Sequence, residues 1–227
     1  MSAESLEGRL LAARAQAHTL FAEIQARGLI RPGRSEREVS QDVLALAREI
    51  RGVRHWWHKR VVRTGANTIH SYWANPPDRV IADGDTVFLD LGPVFADIEA
   101  DFGRTYLIGD DPDKLRMLSD LDELFAACRA AYLERPDMTG ADLYRLVCGA
   151  CTARGWTYGG PHAGHLIGVF PHERRLGDEA HHYIRPENGT PMSDPDANGD
   201  RRHWILEIHL VEPDARWGGF YEDLLTL

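Results

Sequence analysis

The chain is short of positive charge: 26 Lys and Arg stand against 35 Asp and Glu, a formal net charge of -9. That deficit argues against a nucleic-acid surface, which carries a basic stripe. Long apolar runs are missing too. No segment approaches the ~20 residues of a membrane span, and the N-terminus, MSAESLEGRLLAARA, is polar and acidic where a secretory leader is basic and then apolar. A cytoplasmic protein with neither membrane nor nucleic-acid partner is the expectation. Cysteine is scarce, 3 residues in 227, which excludes a disulfide framework. Cys148 and Cys151 form one CxxC inside a helical pattern, without the second ligand pair that a zinc site needs, and read as small buried residues on a helix face.

What is present is an ordinary globular composition, 43% hydrophobic and 27% charged, in a chain long enough for a well-buried core. Leu10, Ala13, Ala17, Leu20 and Ile24 recur at helical spacing before Gly28, which predicts a helix over residues 5 to 27. Ser35 and Glu38 have capping-box spacing, Val39, Val43, Leu46 and Ile50 form a stripe, and Gly52 stops a second helix. Strand patterns follow in RVVRTG, TVFLDLG and FGRTYLIG, to about residue 110. Asp111 and Pro112 open a third helix with the stripe Leu115, Leu118, Leu121, Phe125, Cys128 and Tyr132. Thr139 caps a fourth, through Leu143, Leu146, Val147 and Ala150. Strand-like runs return at residues 157 to 170, 203 to 211 and 219 to 227. The repeated order predicts an α+β domain over residues 1–227, its halves about 1–110 and 111–227. They share one mixed sheet with helices on one side. Residues 173–202, rich in Asp, Gly, Pro and Asn, read as a surface insertion or lid.

The acidic residues fall in a pattern. Asp90 and Asp101 have their midpoint between Phe95 and Ala96, so a hairpin turning there sets them opposite each other. Glu207 and Glu222 repeat this about a midpoint between Asp214 and Ala215. Like charges opposed across strands destabilise a sheet; at ~5 Å and an effective dielectric near 20, two anions repel by about 3 kcal/mol. Divalent cations between them remove the cost, and oxygen ligands with one imidazole suit manganese, cobalt, iron or zinc. Glu207 shares a strand face with Ile205 and His209, while Leu206, Ile208 and Leu210 make the apolar face; Glu212 has the wrong parity.

This constellation resembles the metal-dependent aminopeptidases of the pita-bread fold, which include methionine aminopeptidases, Xaa-Pro aminopeptidases and prolidases. Asp90 and Asp101 are eleven residues apart, the second in DFGRT; GHLIG stands at 164 to 168, with His172 seven residues after His165; Glu207 and Glu222 follow. RTGANTIH, at 63 to 70, is similar to the segment that leads to the family's substrate-contacting His. The resemblance implies two curved halves with helices outside and no separate N-terminal domain. It implies two divalent ions (Mn, Co, Zn or Fe) held by Asp90, Asp101, His165, Glu207 and Glu222, with Asp101 and Glu222 bridging. It further implies an attacking hydroxide between the ions, Glu207 as general base, and His172 and His70 orienting the substrate and its oxyanion. Gly164 and Gly168 would permit close packing beside the metals.

The expected activity is cleavage of the amide bond next to the free N-terminus of a small peptide, and a homodimer is compatible with it. A creatinase-like hydrolase of a non-peptide C–N bond and an inactive binding protein of the same fold are the alternatives; the filled ligand positions argue against both. His162 stands three residues before His165 where prolidase-like members have a His four before, so no role is carried over to it. Arg174 and Arg175 read as solvated loop residues or as selectors of an acidic substrate group. In HWWH, residues 55 to 58, alternation lets at most one Trp and one His face a pocket, and packing is the expected role of the pair. His181, His182, His203 and His209 read as surface or supporting residues.

Overall fold

Each helix starts where a capping side chain meets an apolar stripe. The computed structural model describes residues 5–172, 179–196 and 198–227. Helix α1 (Leu6–Ala26) is capped by Ser5, whose hydroxyl accepts from Gly8 N, and it buries Leu10, Ala13, Ala17, Leu20 and Ile24. Helix α2 (Glu36–Arg51) carries the Ser35/Glu38 capping box and ends at Gly52 with φ 62°. Asp111 caps α3 (Pro112–Glu134), and a Thr139/Asp142 capping box opens α4 (Gly140–Ala153). The α3 stripe differs from expectation: Leu115 is 48% exposed, whereas Met117 and Leu124 are buried. Met117, Leu121, Leu124 and Cys128 follow the 4-3-4 spacing of the face that meets the sheet, and Leu115 lies off that line. Cys151 is buried and Cys148 half-buried, as two small residues on a helix face.

The strands are β1 (His55–Trp56), β2 (Val61–Thr64), β3 (Thr86–Leu91), β4 (Pro93–Phe95), β5 (Ile98–Glu99), β6 (Phe102–Leu107), β7 (Thr157–Tyr158), β8 (Leu166–Ile167), β9 (His203–Val211) and β10 (Gly218–Leu224). The main sheet runs β2-β3-β6-β10-β9, and β9 also pairs with β7 near its end and with β8 near its start. Every pairing among these strands is antiparallel, where the sequence suggests a mixed sheet, because hairpins and returns rather than parallel crossovers join neighbours. Strands β1, β4 and β5 form a separate small sheet. The run 157 to 170 holds only two short strands, since glycines and prolines interrupt it. One apolar cluster lies under α1 and α2; a second, with Leu206, Ile208 and Leu210 of β9, lies under α3 and α4.

Register decides where the acids go. Glu207 pairs with Glu222, as the midpoint about Asp214 and Ala215 predicts. Asp90 pairs with Gly103 rather than with Asp101. The chain leaves the main sheet after Leu91, makes the β4–β5 hairpin with Phe95 opposite Ile98, and returns at Phe102, so the pairing is displaced by two. A shift of two keeps the face, and Asp101 sits diagonally from Asp90. Gly103 also pairs with Glu222, so Asp90, Gly103, Glu222 and Glu207 form one row across four strands. On the other face, Asp223 receives Arg14 of α1 at 2.5 and 2.8 Å and Arg104 of β6 at 2.9 Å. The expected insertion begins with Glu173, Arg174 and Arg175, which lie outside the described residues. Further on, Ile184 is bonded by its backbone to Ala163 and Gly164, which ties this segment to the GHLIG stretch.

Candidate metal centre

The row of acids lines a cavity of about 980 Å³ together with Asp101, His58, His162, His165, His172 and Trp57. β3 presents Asp90, the return into β6 presents Asp101, and the paired β9 and β10 present Glu207 and Glu222. His165 reaches them because the GHLIG stretch is pinned between β9 and residue 184: Ile205 N donates to His165 O at 3.0 Å and Glu207 N to Ala163 O at 3.1 Å. Gly164, at φ +134°, makes that approach feasible, since a Cβ there would lie 2.2 Å from Ile205 O. Gly168 is under no such pressure; its nearest neighbour would be His172 Cβ at 3.9 Å.

His165 Nε2 lies 3.2 Å from Asp101 Oδ2 and 3.8 Å from Glu207 Oε1, while its Nδ1 faces Leu166 O at 2.8 Å. His172 stacks parallel to His165 at 6.2 Å between ring centres, and its backbone N–H donates to Glu99 Oε1 at 3.0 Å. The other oxygen of that buried carboxylate receives His172 Nδ1. His162 Nδ1 is 3.4 Å from Glu207 Oε1 but has no hydrogen-bond partner, and its ring packs on Tyr183 at 4.9 Å.

Burial and like charge strain the acids. Burial raises Asp90 to about 7, with Asp101 and Glu207 adding to the rise against the pull of His58. Burial, then Asp101 and Asp90, push Glu222 well above the carboxylate range, and its buried Oε2 lacks a hydrogen-bond partner. For Asp101, burial is outweighed by His58 and His165, which hold it below its ordinary range. For His165, burial is outweighed by Asp101, and the ring is pushed up to about 9. Five ionisable groups with perturbed protonation around one cavity mark a functional site. The donors also fit divalent cations. His58, Asp90 and Asp101 offer ligand atoms within 4.8 Å of one another, as do Asp101, His165 and Glu222. An orphaned Glu222 oxygen amid carboxylates and imidazoles is what cation binding would satisfy.

The remaining histidines and the HWWH tryptophans meet the expectation drawn from the sequence to different degrees. His70 follows the short 3-10 turn Gly65–Ile69 and does not line the cavity. That turn is anchored elsewhere, with Glu36 of α2 accepting from Thr64 N at 2.7 Å and from Asn67 Nδ2 at 3.0 Å. Of HWWH, Trp57 and His58 line the cavity, one Trp and one His as the sequence allows, so Trp57 is a wall of the site and not only the packing residue expected; both lie beyond β1, which ends at Trp56. His58 Nε2 is 3.0 Å from Asp101 Oδ1, and although burial opposes its charge, Asp101 and Asp90 push the ring up to about 9. His182 also lines the cavity, and of the two alternatives for His203 and His209, surface or supporting, burial excludes the first. His209 Nε2 donates to Thr68 O at 2.9 Å and so holds the 3-10 turn against β9. Glu99 escaped the sequence reading; only its place two residues before Asp101 pointed to this corner.

Comparison with known proteins agrees with this geometry. The profile of Metallopeptidase family M24 matches residues 9–196. No curated protein matches the sequence at a significant level. Among solved structures, an X-Pro aminopeptidase from Thermotoga maritima MSB8 has 20% identity and a TM-score of 0.74, covering 100% of this chain and 62% of its own. A prolidase from Thermococcus sibiricus has 20% identity and a TM-score of 0.70, covering 94% of this chain and 53% of its own. The dipeptidase PepE from Mycobacterium ulcerans has 25% identity and a TM-score of 0.70, covering 95% of this chain and 54% of its own. The chain thus spans little more than half the length of the structures it matches. No described helix is long and apolar enough to cross a membrane. With its open antiparallel sheet, outer helices and matching profile, the chain belongs to metallopeptidase family M24 and has the pita-bread fold.

Proposed function

We propose that the chain is a dinuclear metal-dependent hydrolase that cleaves the amide bond next to the free N-terminus of a short peptide, in the manner of Xaa-Pro or methionine aminopeptidases. The observation that carries this is the convergence of four carboxylates and His165 on one cavity with a buried Glu222 oxygen unsatisfied. Asp90, Asp101, His165, Glu207 and Glu222 are the expected holders of two ions of the Mn, Co, Zn or Fe class. When bound, such ions supply Lewis-acid activation of water and of the scissile carbonyl.

The chain's own residues supply the rest. Glu207, at the cavity wall, takes the proton from the attacking water and hands it to the departing amine. Glu99 accepts from His172 Nδ1–H and directs the opposite edge to the cavity, where the ring, in its doubly protonated form, donates Nε2–H to the carbonyl oxygen as charge develops. Trp57 packs edge-on to His165 and His172 at 5.1 and 5.5 Å, which keeps water from that side. Arg185 lines the same cavity and can receive the free carboxylate of a short substrate, which suits a dipeptide or tripeptide.

Metal analysis of chelator-free protein, paired with hydrolysis of a peptide library, tests the reading. Bound divalent ions with release of N-terminal residues are the expected result; turnover that survives metal stripping would overturn it. Glu207→Gln is expected to keep the fold and lose about 10²–10⁴-fold in turnover, and near-normal activity would remove Glu207 from the base role.

A further inference from the structure

His58 has no part in the chemistry above, yet it stands against the same carboxylates. Its side chain is 7% exposed, with Nε2 3.0 Å from Asp101 Oδ1 and 3.5 Å from Asp90 Oδ1. Its Nδ1 lies 2.7 Å from Lys59 O. A carbonyl only accepts, so Nδ1 carries the hydrogen and Nε2 is the nitrogen aimed at the acids. His165 is held in the same way, with Nδ1 on the carbonyl of the following residue, Leu166, and Nε2 at Asp101 Oδ2. A backbone carbonyl that fixes the tautomer is the usual support of a metal-binding imidazole. The two rings therefore flank Asp101, one at each oxygen.

The chain also makes room for this ring. A Cβ on Gly92 would lie 2.1 Å from His58 Cδ2, so a larger residue there would displace it. Trp57 and Tyr72 pack edge-on at 4.4 and 5.7 Å between ring centres and fix its plane.

Resting on the metal-dependent reading of this site, we propose that His58 is itself a metal ligand. Its Nε2 joins Asp90 and Asp101 around one ion, as His165 joins Asp101 and Glu222 around the other. Each half of the chain then contributes one imidazole. A second nitrogen donor moves the site's preference from the hard cations toward cobalt, iron, nickel and zinc.

Cobalt-loaded protein tests this without an activity assay. Each coordinated imidazole still carries an Nδ1–H, so proton NMR of the cobalt form is expected to show two hyperfine-shifted, exchangeable histidine N–H resonances in the wild type. His58→Phe, which keeps a ring between Trp57 and Tyr72, is expected to show one. Cobalt retention against a chelator should weaken on the order of tenfold or more, while the metal-free variant melts as metal-free wild type does. Because the wild-type count needs no variant, misfolding of His58→Phe leaves the test intact. A single N–H resonance in cobalt-loaded wild type, or two in His58→Phe, would overturn the proposal while the hydrolase reading stands. Failure of wild type to bind cobalt would overturn both.

Discussion

A thiol surrounded by leucines and aromatic rings has little access to its thiolate. Burial pushes Cys128 and Cys151 up to about 12, while Cys148 of the same CxxC is only half-buried. At pH 8 this leaves a thiolate fraction of about 10⁻⁴ at each buried site. An alkylating reagent is expected to modify Cys148 first and to reach the other two only on global unfolding, as peptide mapping would show. A folded-state pKa raised above the unfolded value of about 8.5 means stability present below that pH and lost as pH rises toward 12. The urea midpoint of wild type should therefore fall between pH 8 and 10, and less so in Cys151→Ala. Single residues differed in how legible they were. Glu207 was readable because nine residues of strand preserve its parity, whereas HWWH left His55 and His58 as equal candidates for a pocket edge, because β1 ends at Trp56 and too little strand remains to choose between them.

Elements were legible where local signals end them. The capping residues Ser35, Asp111 and Thr139 stand where the helices begin, and the β9–β10 register followed from symmetry about one turn. The β3–β6 register did not, because the excursion through β4 and β5 adds a displacement that no residue pattern announces. Of the GHLIG stretch, which reads as strand, Leu166–Ile167 is strand on β9, while Gly164 and His165 are wedged by their backbone between β9 and residues 183–184, through long-range contacts that sequence periodicity does not encode. Its two glycines should behave differently. Gly164→Ala combines positive φ with a collision against Ile205 O and is expected to cost about 1–3 kcal/mol or more, lowering the melting temperature by several degrees. Gly168→Ala has room and should stay within about 0.5 kcal/mol of wild type. Thermal melts of the two variants side by side check this, and equal losses would contradict the wedge.

For the molecule as a whole, the cavity sets stability against chemistry. Four buried or half-buried acids in one cavity oppose the fold unless cations join them. Each ion held at about 100 times its Kd adds about 2.7 kcal/mol, and for a chain of this length each kcal/mol is worth about 2–4 °C. Exhaustive chelation is thus expected to lower the melting temperature by about 5–10 °C for each ion removed, restored by adding back manganese, cobalt or zinc; an unchanged melt would mean that the acids are balanced without ions.

The two acids that neighbour each other on β10 have opposite surroundings. Glu222 faces the cavity with an oxygen unsatisfied, while Asp223 is gripped from behind by Arg14 and Arg104. The guanidinium of Arg104 is itself wedged between Phe102 and Tyr221, 3.7 Å from each ring centre. Sliding β10 by one residue would exchange these acids, stranding a carboxylate among apolar helices and leaving two arginines without a counter-ion. The outer clamp therefore works as an index pin for the inner row, so the alignment of the cavity acids is held by side chains that do not line the cavity.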